Sequence, residues 1–186
     1  GSSATDKITK DGTLSLSGVE SGAKVEYSID GTTWNTTFTA AEGANTVLVR
    51  QTDVAWNTSG AQSYSFTLDT TAPVGPTVGL MSDSGTDGGD KITNIGTVSV
   101  DLIETGATWE YSTNNGSTWT TGSASSFSVS GDGVKTVLVR QTDVAGNTSS
   151  AQSYSFTLDT TAPVGPSSSL LTDTGSSTTD KVTNIG

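Results

Sequence analysis

Apolar and polar residues alternate along the chain in short runs. In the central part, the apolar residues that share a face are Val98, Val100 and Leu102; Ala107, Trp109 and Tyr111; Phe127 and Val129; Val137 and Val139; and Tyr154, Phe156 and Leu158. Successive side chains of a strand point to opposite faces of a sheet, so a period of two predicts half-buried strands. We predict strands at these positions, preceded by a leading strand at Thr77–Ser82.

The first part of the chain carries the same pattern. Its apolar residues that share a face are Leu14 and Leu16, Val25 and Tyr27, Phe38, Val47 and Val49, and Tyr64, Phe66 and Leu68. Between the runs lie Asp30-Gly31, Asn115-Gly116 and residues 131–133. These residue types accept the positive φ angles of hairpin turns. The pattern therefore predicts short strands joined by tight turns.

The sequence also contains an internal repeat. Residues 63–76 are identical to residues 153–166, 90 positions later, and the heptapeptide that begins at Val49 recurs with the same shift. Self-similarity at such a period predicts tandem structural units. The predicted units are a first repeat at 1–70 that lacks its first strand, a linker at 71–76, a second repeat at 77–160, a linker at 161–166, and the first strand and loop of a third repeat at 167–186.

Trp109 falls on the third predicted strand of the second repeat. Sandwiches of the immunoglobulin type bury a tryptophan on that strand and have about seven strands in roughly 100 residues. The predicted fold class is therefore all-β, with tandem immunoglobulin-like β-sandwiches. All four prolines lie in the two linkers, and because proline fixes φ, we expect short semi-rigid connections.

Composition and charge restrict the function. The chain has neither cysteine nor histidine, so it offers no thiol, imidazole or disulfide chemistry, and we expect no enzyme activity. Its 19 acidic and 8 basic residues give a net charge of −11, which disfavours nucleic acid as a partner and favours cations. No run approaches the roughly 20 apolar residues of a membrane span. We expect no membrane insertion by this segment and an export signal located elsewhere.

Acidic and amide side chains concentrate in the loops at the two ends of the second repeat. Because strands alternate in direction, the topology predicts an upstream group of Asp69, Glu104, Asp143 and Asn147, and a downstream group of Asp83, Asp87, Asp90 and Asp159. Calcium takes 6–8 oxygen ligands, so we predict calcium sites at the junctions between repeats. Weaker candidates are Asp6, Glu20, Asp53, Asn57, Asp173 and Asp180. The alternative is that these residues only form turns.

Several motifs together resemble a known family. They are Leu-Asp-Thr-Thr-Ala-Pro, Asp-x-Gly-x-x-x-x-Asp-Lys-[Ile/Val]-Thr, Glu-x-Gly-Ala-x-x-Glu-Tyr-Ser, Gly-[Ser/Thr]-Thr-Trp and Val-Arg-Gln-Thr-Asp-Val-Ala-Gly-Asn. The ordered set is similar to the bacterial immunoglobulin-like extender repeats of large, type I-secreted RTX adhesins. The resemblance implies calcium-stiffened spacers at the bacterial cell surface, outside the cell, that support adhesion and biofilm formation. Trp56 departs from the pattern, since Gly146 stands at the same place in the second repeat.

Other residues have simpler explanations. We expect surface ion pairs between Glu26 and Arg50 and between Glu110 and Arg140, and packing roles for Trp34 and Trp119.

Two further hypotheses concern partners. The neighbouring repeats of the same chain are the expected contacts of each unit. Trp56 is unique to one copy, and the expected role is packing on the preceding unit. The rival function is an immunoglobulin-like module that binds a glycan or protein ligand through its loops, with Trp56 as a contact. The tail at 167–172 is a first strand without a unit, which predicts head-to-tail self-association with the first repeat of another molecule.

Overall fold

The computed structural model describes residues 1, 3–172 and 176–183. Within them it contains β-strands and no helix, which confirms the all-β class. The strands are β1 (Ile8–Thr9), β2 (Lys24–Ser28), β3 (Gly43–Thr52), β4 (Gln62–Leu68), β5 (Thr77–Leu80), β6 (Ile92–Thr93), β7 (Thr97–Asp101), β8 (Thr108–Ser112), β9 (Thr120–Thr121), β10 (Ser126–Ser128), β11 (Gly133–Thr142) and β12 (Gln152–Leu158).

The second repeat is built from two sheets. One has three strands in the order β10-β7-β5, and the other has five in the order β6-β12-β11-β8-β9. The first sheet is antiparallel throughout, and in the second only β6 pairs in parallel, with β12. An all-β chain with several sheets is compatible with a β-sandwich.

The core of the second repeat contains the apolar residues that the alternation singled out. The buried cluster consists of Val98, Val100, Trp109, Phe127, Val137, Val139, Phe156 and Leu158. These side chains come from strands of both sheets, so one core joins the two sheets. The stacked rings of Tyr111 and Phe127, whose centroids are 4.0 Å apart, contribute to the same core. Burial of this apolar surface is the main stabilising contribution to such a unit.

One prediction about this core is wrong. Leu102 does not share the buried face of Val98 and Val100, because β7 ends at Asp101 and the chain then turns. Leu102 has a φ of 59° and its side chain is 70% exposed. The turn moves the side chain out of register with the strand, so the apolar alternation overestimates the length of β7 by one residue.

The first repeat forms only one hydrogen-bonded sheet among the described residues. This sheet has the order β1-β4-β3-β2, and β3 pairs with β2 and β4 in antiparallel register. The strands predicted around Leu14, Leu16 and Phe38 are not formed. Leu16 is 38% exposed, whereas Val100, at the same place in the second repeat, is 1% exposed. A strand needs a neighbour to pair with, and no described segment pairs with residues 13–17 as β5 and β10 pair with β7.

The outer face of each large sheet carries an ion pair and an aromatic contact, as predicted. Arg140 donates to Glu110 from Nε and Nη2, at 3.1 and 2.9 Å, and its guanidinium lies 3.9 Å from the ring centroid of Trp119. In the first repeat Arg50 makes the equivalent contacts with Glu26 and Trp34. These contacts connect neighbouring strands on the outer face of each sheet.

Candidate inter-repeat junction

The linker that follows β4 lies against the second repeat. Pro76 is fully buried, and Pro73 and Gly75 are half-buried. A Cβ on Gly75 would lie 2.4 Å from Nε2 of Gln152, so only glycine permits this close approach without a shift of that side chain. The second linker, at 161–166, is exposed along its whole length. The same sequence is therefore partly buried after β4 and exposed after β12.

Gln141 is the central residue of the junction. Its side chain is 2% exposed, at the end of β11. The amide nitrogen Nε2 donates to the carbonyl oxygen of Val74 in the linker and, at 3.1 Å, to that of Leu102. The amide oxygen accepts a hydrogen bond from the backbone N–H of Glu104 at 2.8 Å. One buried amide thus connects the linker, β11 and the loop after β7.

The loop between β11 and β12 carries a second contact to the linker. The side-chain amide of Asn147 donates to the backbone oxygen of Asp69 at 2.7 Å and to Oδ2 of Asp143 at 2.9 Å. Oδ1 of Asp143 accepts the backbone N–H of Asn147 at 2.8 Å. Burial raises the pKa of Asp143, but the hydrogen bonds from Asn147, Gly146 and Ala145 outweigh that effect, so the pKa lies below its ordinary value. Asp143 therefore remains a carboxylate that closes the loop.

The two copies of this loop differ in burial although their sequences are nearly identical. Asp143 is 3% exposed and Ala145 is fully buried, whereas Asp53 is half-buried and Ala55 is exposed. Asp53 still accepts the same set of hydrogen bonds, from Ala55 and Asn57. The internal fold of the loop is thus a property of its sequence, and its burial is a property of the junction.

The difference between Trp56 and Gly146 follows from the junction. Lys10 of the first repeat donates from Nζ to the carbonyl oxygen of Gly146 at 2.7 Å, and a Cβ on Gly146 would lie 3.7 Å from Gly1. Gly146 has a φ of 91°, in the region that favours glycine. Trp56 has a φ of 70° and is 86% exposed at the same place in the first repeat. A side chain at position 146 would therefore begin in van der Waals contact with Gly1 and Lys10, whereas Trp56 lies in solvent.

The downstream group lies in the loop between β5 and β6 and just after β12. Asp83 accepts the backbone N–H of Lys91 at Oδ2, at 2.8 Å, while its Oδ1 is buried without a hydrogen-bond partner. Asp87, Asp90 and Asp159 each accept a backbone N–H two residues further along the chain, from Gly89, Ile92 and Thr161. The N–H of Asp159 also donates to the carbonyl oxygen of Thr93, which brings the end of β12 beside β6.

The remaining candidates make local contacts. Asp6 and Asp180 accept the N–H of Ile8 and Val182, both at 3.0 Å, and the N–H of Glu20 donates to Gln51. Asp173 lies outside the described residues. Among residues 1, 3–172 and 176–183, no group of three or more acidic side chains lies close enough to hold a metal ion. The predicted calcium ligands thus adopt turn geometry here, and calcium binding stays a prediction.

Sequence reasoning missed three residues that position the linkers. Gln141 is one. Asp132 accepts hydrogen bonds from the N–H and hydroxyl of Thr160, at 2.9 and 2.6 Å, and from the hydroxyl of Thr161. Glu42 makes the equivalent contacts with Thr70 and Thr71 in the first repeat. The available signal was an acidic residue that recurs 90 positions apart, directly before β3 and again before β11.

Hydrogen bonds also set the charge state of Asp132. The hydroxyls of Thr160 and Thr161 and the N–H of Thr160 lower the pKa of its carboxyl to about 2. The carboxylate is therefore ionised at every physiological pH and holds the first residues of the linker against the loop before β11.

None of the described residues belongs to a helix that could cross a membrane. Neither a family model nor a curated protein matches the sequence.

Proposed function

We propose that this chain is part of a tandem array of immunoglobulin-like β-sandwich repeats that acts as a structural extender of a bacterial cell-surface adhesin. The observation that carries the proposal is the docked junction. The linker, Gln141 and Asn147 connect the first repeat to the second through direct hydrogen bonds, and Asp143 and Ala145 of the adjoining loop are buried. A spacer needs a defined angle between units, and such a junction would supply it.

The strand order supports the immunoglobulin-like assignment. The sheets β10-β7-β5 and β6-β12-β11-β8-β9 share one core, with Trp109 on β8. The sequence repeat supports the tandem arrangement, because the docked linker at 71–76 recurs at 161–166. The extracellular location at the bacterial surface and the role in adhesion and biofilm formation come from the motif resemblance.

The extender function can be tested by adding repeats. A second copy of residues 77–166, inserted after Pro166, should lengthen the particle by about 30–40 Å, since a ten-residue strand such as β11 spans roughly 33 Å. Small-angle scattering measures the maximum dimension directly. A matched pair of variants tests the junction: Asn147→Ala should broaden the interdomain angles, and Asn57→Ala, in the exposed copy of the loop, should not. Equal scattering curves for both variants and the parent chain would contradict a junction-based spacer.

We further propose calcium as a stiffening ion at the downstream loop. The buried Oδ1 of Asp83 has no hydrogen-bond partner, and Asp87 and Asp90 lie on the same loop. A carboxylate oxygen that accepts no hydrogen bond is free to bind a hard cation. In the upstream loop, by contrast, both oxygens of Asp143 already accept hydrogen bonds. Bound calcium would neutralise the mutual repulsion of these three carboxylates at the end of the second repeat.

Calorimetric melting in ~10 mM calcium and in EDTA tests this proposal. At a hundredfold excess over Kd, calcium would add about 2.7 kcal/mol to the free energy of unfolding. Asp83→Asn should abolish the increase in melting temperature, while Asp53→Asn, in the exposed upstream loop of the first repeat, should retain it. Identical melting of the parent chain in calcium and EDTA would remove calcium from the proposed function and leave the hydrogen-bonded junction intact.

The second candidate function is direct ligand binding. Trp56 is 86% exposed and Val54, on the same loop, is 78% exposed. This exposed pair is what favours a binding surface. The matching loop of the second repeat is covered by the first repeat, so the simpler assignment is docking of an upstream unit. Saturable binding on a glycan array that is lost in Trp56→Ala would reverse the ranking.

A further inference from the structure

The two linkers that flank the second repeat are held at opposite ends of the same strand. Gln141, at one end of β11, binds the linker at 71–76. Asp132, directly before the other end of β11, binds Thr160 at the start of the chain segment that leads to the second linker. A strand of ten residues separates these two anchors by roughly 33 Å. Tension transmitted through the linkers therefore acts along the strands of this repeat and not across them.

The parallel pair β6–β12 lies on this line of tension. The chain reaches β6 from the first linker through β5 and its loop, and it passes from the end of β12 directly to the second linker. Because the two strands are parallel, a load at the start of β6 and a load at the end of β12 pull them in opposite directions along their common axis. Their hydrogen bonds are then loaded together, whereas the adjacent ends of an antiparallel hairpin open one bond at a time.

Backbone and side-chain contacts both join β6 to β12. The N–H groups of Thr157 and Asp159 donate to the carbonyl oxygens of Lys91 and Thr93, both at 2.9 Å. The ammonium group of Lys91 also lies 5.1 Å from the ring centroid of Tyr154 on β12, which is the geometry of a cation–π contact. The contacts extend along β12 from Tyr154 to the residue that follows the strand.

The hydroxyl of Thr93 connects this pair to the segment that follows β5. Thr93 is 2% exposed. Its hydroxyl donates to the carbonyl oxygen of Ser82 at 3.1 Å and accepts the N–H of Ser84 at 3.3 Å. A load that pulls β5 away from β7 would therefore reach β6 next, at the residue that is bonded to Asp159.

The same parallel pair recurs in the first repeat as β1 and β4. Thr67 and Asp69 donate their N–H groups to the carbonyl oxygens of Lys7 and Thr9, again at 2.9 Å. The ammonium group of Lys7 lies 5.1 Å from the ring centroid of Tyr64. A linker of identical sequence follows each pair. The pair and the linker that leaves it thus form one recurring unit.

We propose that the parallel pair of each repeat is a mechanical clamp that resists tension between the linkers. The inference rests on the proposed extender function, because a spacer carries the load between an attached target and the cell. Resistance to force is a kinetic property, set by the rate of unfolding under load and not by the free energy of unfolding. The clamp therefore prolongs the lifetime of a loaded repeat without requiring a large core.

Constant-force measurements on the full chain in EDTA test the clamp through the pulling direction. The chain has no native cysteine, so introduced cysteines are the attachment points. Val74→Cys with Val164→Cys loads the second repeat through its linkers, and Ser130→Cys with Val164→Cys loads the adjacent ends of β11 and β12. All three positions are exposed, so the substitutions leave the core unchanged.

The two pulling directions should give different lifetimes at the same load. The lifetime through the linkers should be at least about tenfold longer, as expected when two hydrogen bonds must break together and not in turn. Equal lifetimes in the two directions would overturn the proposal. Since this comparison leaves every clamp residue in place, it remains decisive even where a clamp variant does not fold.

A pair of proline substitutions tests the assigned hydrogen bonds. Asp159→Pro removes the N–H that Thr93 accepts, and Ser117→Pro removes the N–H to Asn114 in the exposed turn between β8 and β9. Under load through the linkers, Asp159→Pro should shorten the lifetime about fivefold, as expected for the loss of one loaded hydrogen bond, and Ser117→Pro should leave it unchanged. Urea unfolding checks that both variants fold, and equal shortening by both would refute the clamp.

Failure of the clamp and failure of the extender function are distinguishable. Equal lifetimes in the two pulling directions remove the clamp, whatever the length of the particle. A particle that does not lengthen when repeats are added removes the extender function, whatever the lifetimes under load.

Discussion

Replacement of Gln141 by methionine is the most direct test of the junction. Methionine preserves the approximate length and volume of the side chain and removes its donor and acceptor. The variant loses the hydrogen bonds to Val74, Leu102 and Glu104. Each such bond contributes a net ~1 kcal/mol, so the loss should be about 3 kcal/mol in the free energy of unfolding of the second repeat.

The matched control is Gln51→Met in the first repeat. Gln51 makes only two of these bonds, to Glu20 and Gly18, and its side chain is half-buried. Water can replace the lost partners there, so the expected loss is about 1 kcal/mol.

Urea unfolding, followed by far-UV circular dichroism, gives both values. Amide hydrogen exchange of the linker residues then shows whether the linker has detached. In Gln141→Met the N–H groups near Val74 should exchange faster, while those at the end of β12 near Leu158 should change only with global stability. Equal destabilisation by the two substitutions, with unchanged linker protection, would refute the central role of Gln141.

Two further predictions concern the core and the linker. Trp109→Ala should lower the free energy of unfolding of the second repeat by about 3–5 kcal/mol, as measured by urea unfolding. Val25 is the half-buried counterpart of Trp109 in the first repeat, and Val25→Ala should cost under ~1.5 kcal/mol. Similar losses in the two variants would contradict an open first repeat. The contribution of the Asp132 contacts is present above the ordinary carboxyl pKa and is lost as the pH falls through the lowered pKa of about 2. The amide signal of Thr160 should therefore shift in acid titration with a midpoint near pH ~2, and Asp132→Asn should remove that shift.

The positions of most strands could be predicted from the sequence. The alternation around Val137, Val139 and Phe156 is a local property of the chain, and these residues form the centre of the core as predicted. The pairs Glu110–Arg140 and Glu26–Arg50 were also predictable, because each residue occupies the outer side of a strand.

The candidate site was predictable only in part. The topology placed Asp69 near Asn147, and the two residues are hydrogen-bonded. The role of Gln141 was missed, because nothing local distinguishes a buried glutamine that bridges three segments from the solvent-facing glutamine of an ordinary strand. Its three partners lie 37 to 67 positions away in the chain.

The sequence by itself determined the local geometry that recurs in both repeats. This geometry comprises the strand periodicity, the turn residues and the hydrogen-bonded loop closed by Asp53 or Asp143. Only the tertiary structure decided which copy of each feature is buried. Leu14 and Leu16 have the alternation of Val98 and Val100, but only the second pair forms a paired strand. Asp53 and Asp143 likewise close the same local loop, but only Asp143 is buried. Periodicity is a property of neighbours in sequence, whereas strand pairing and burial require a second segment that the local pattern does not contain.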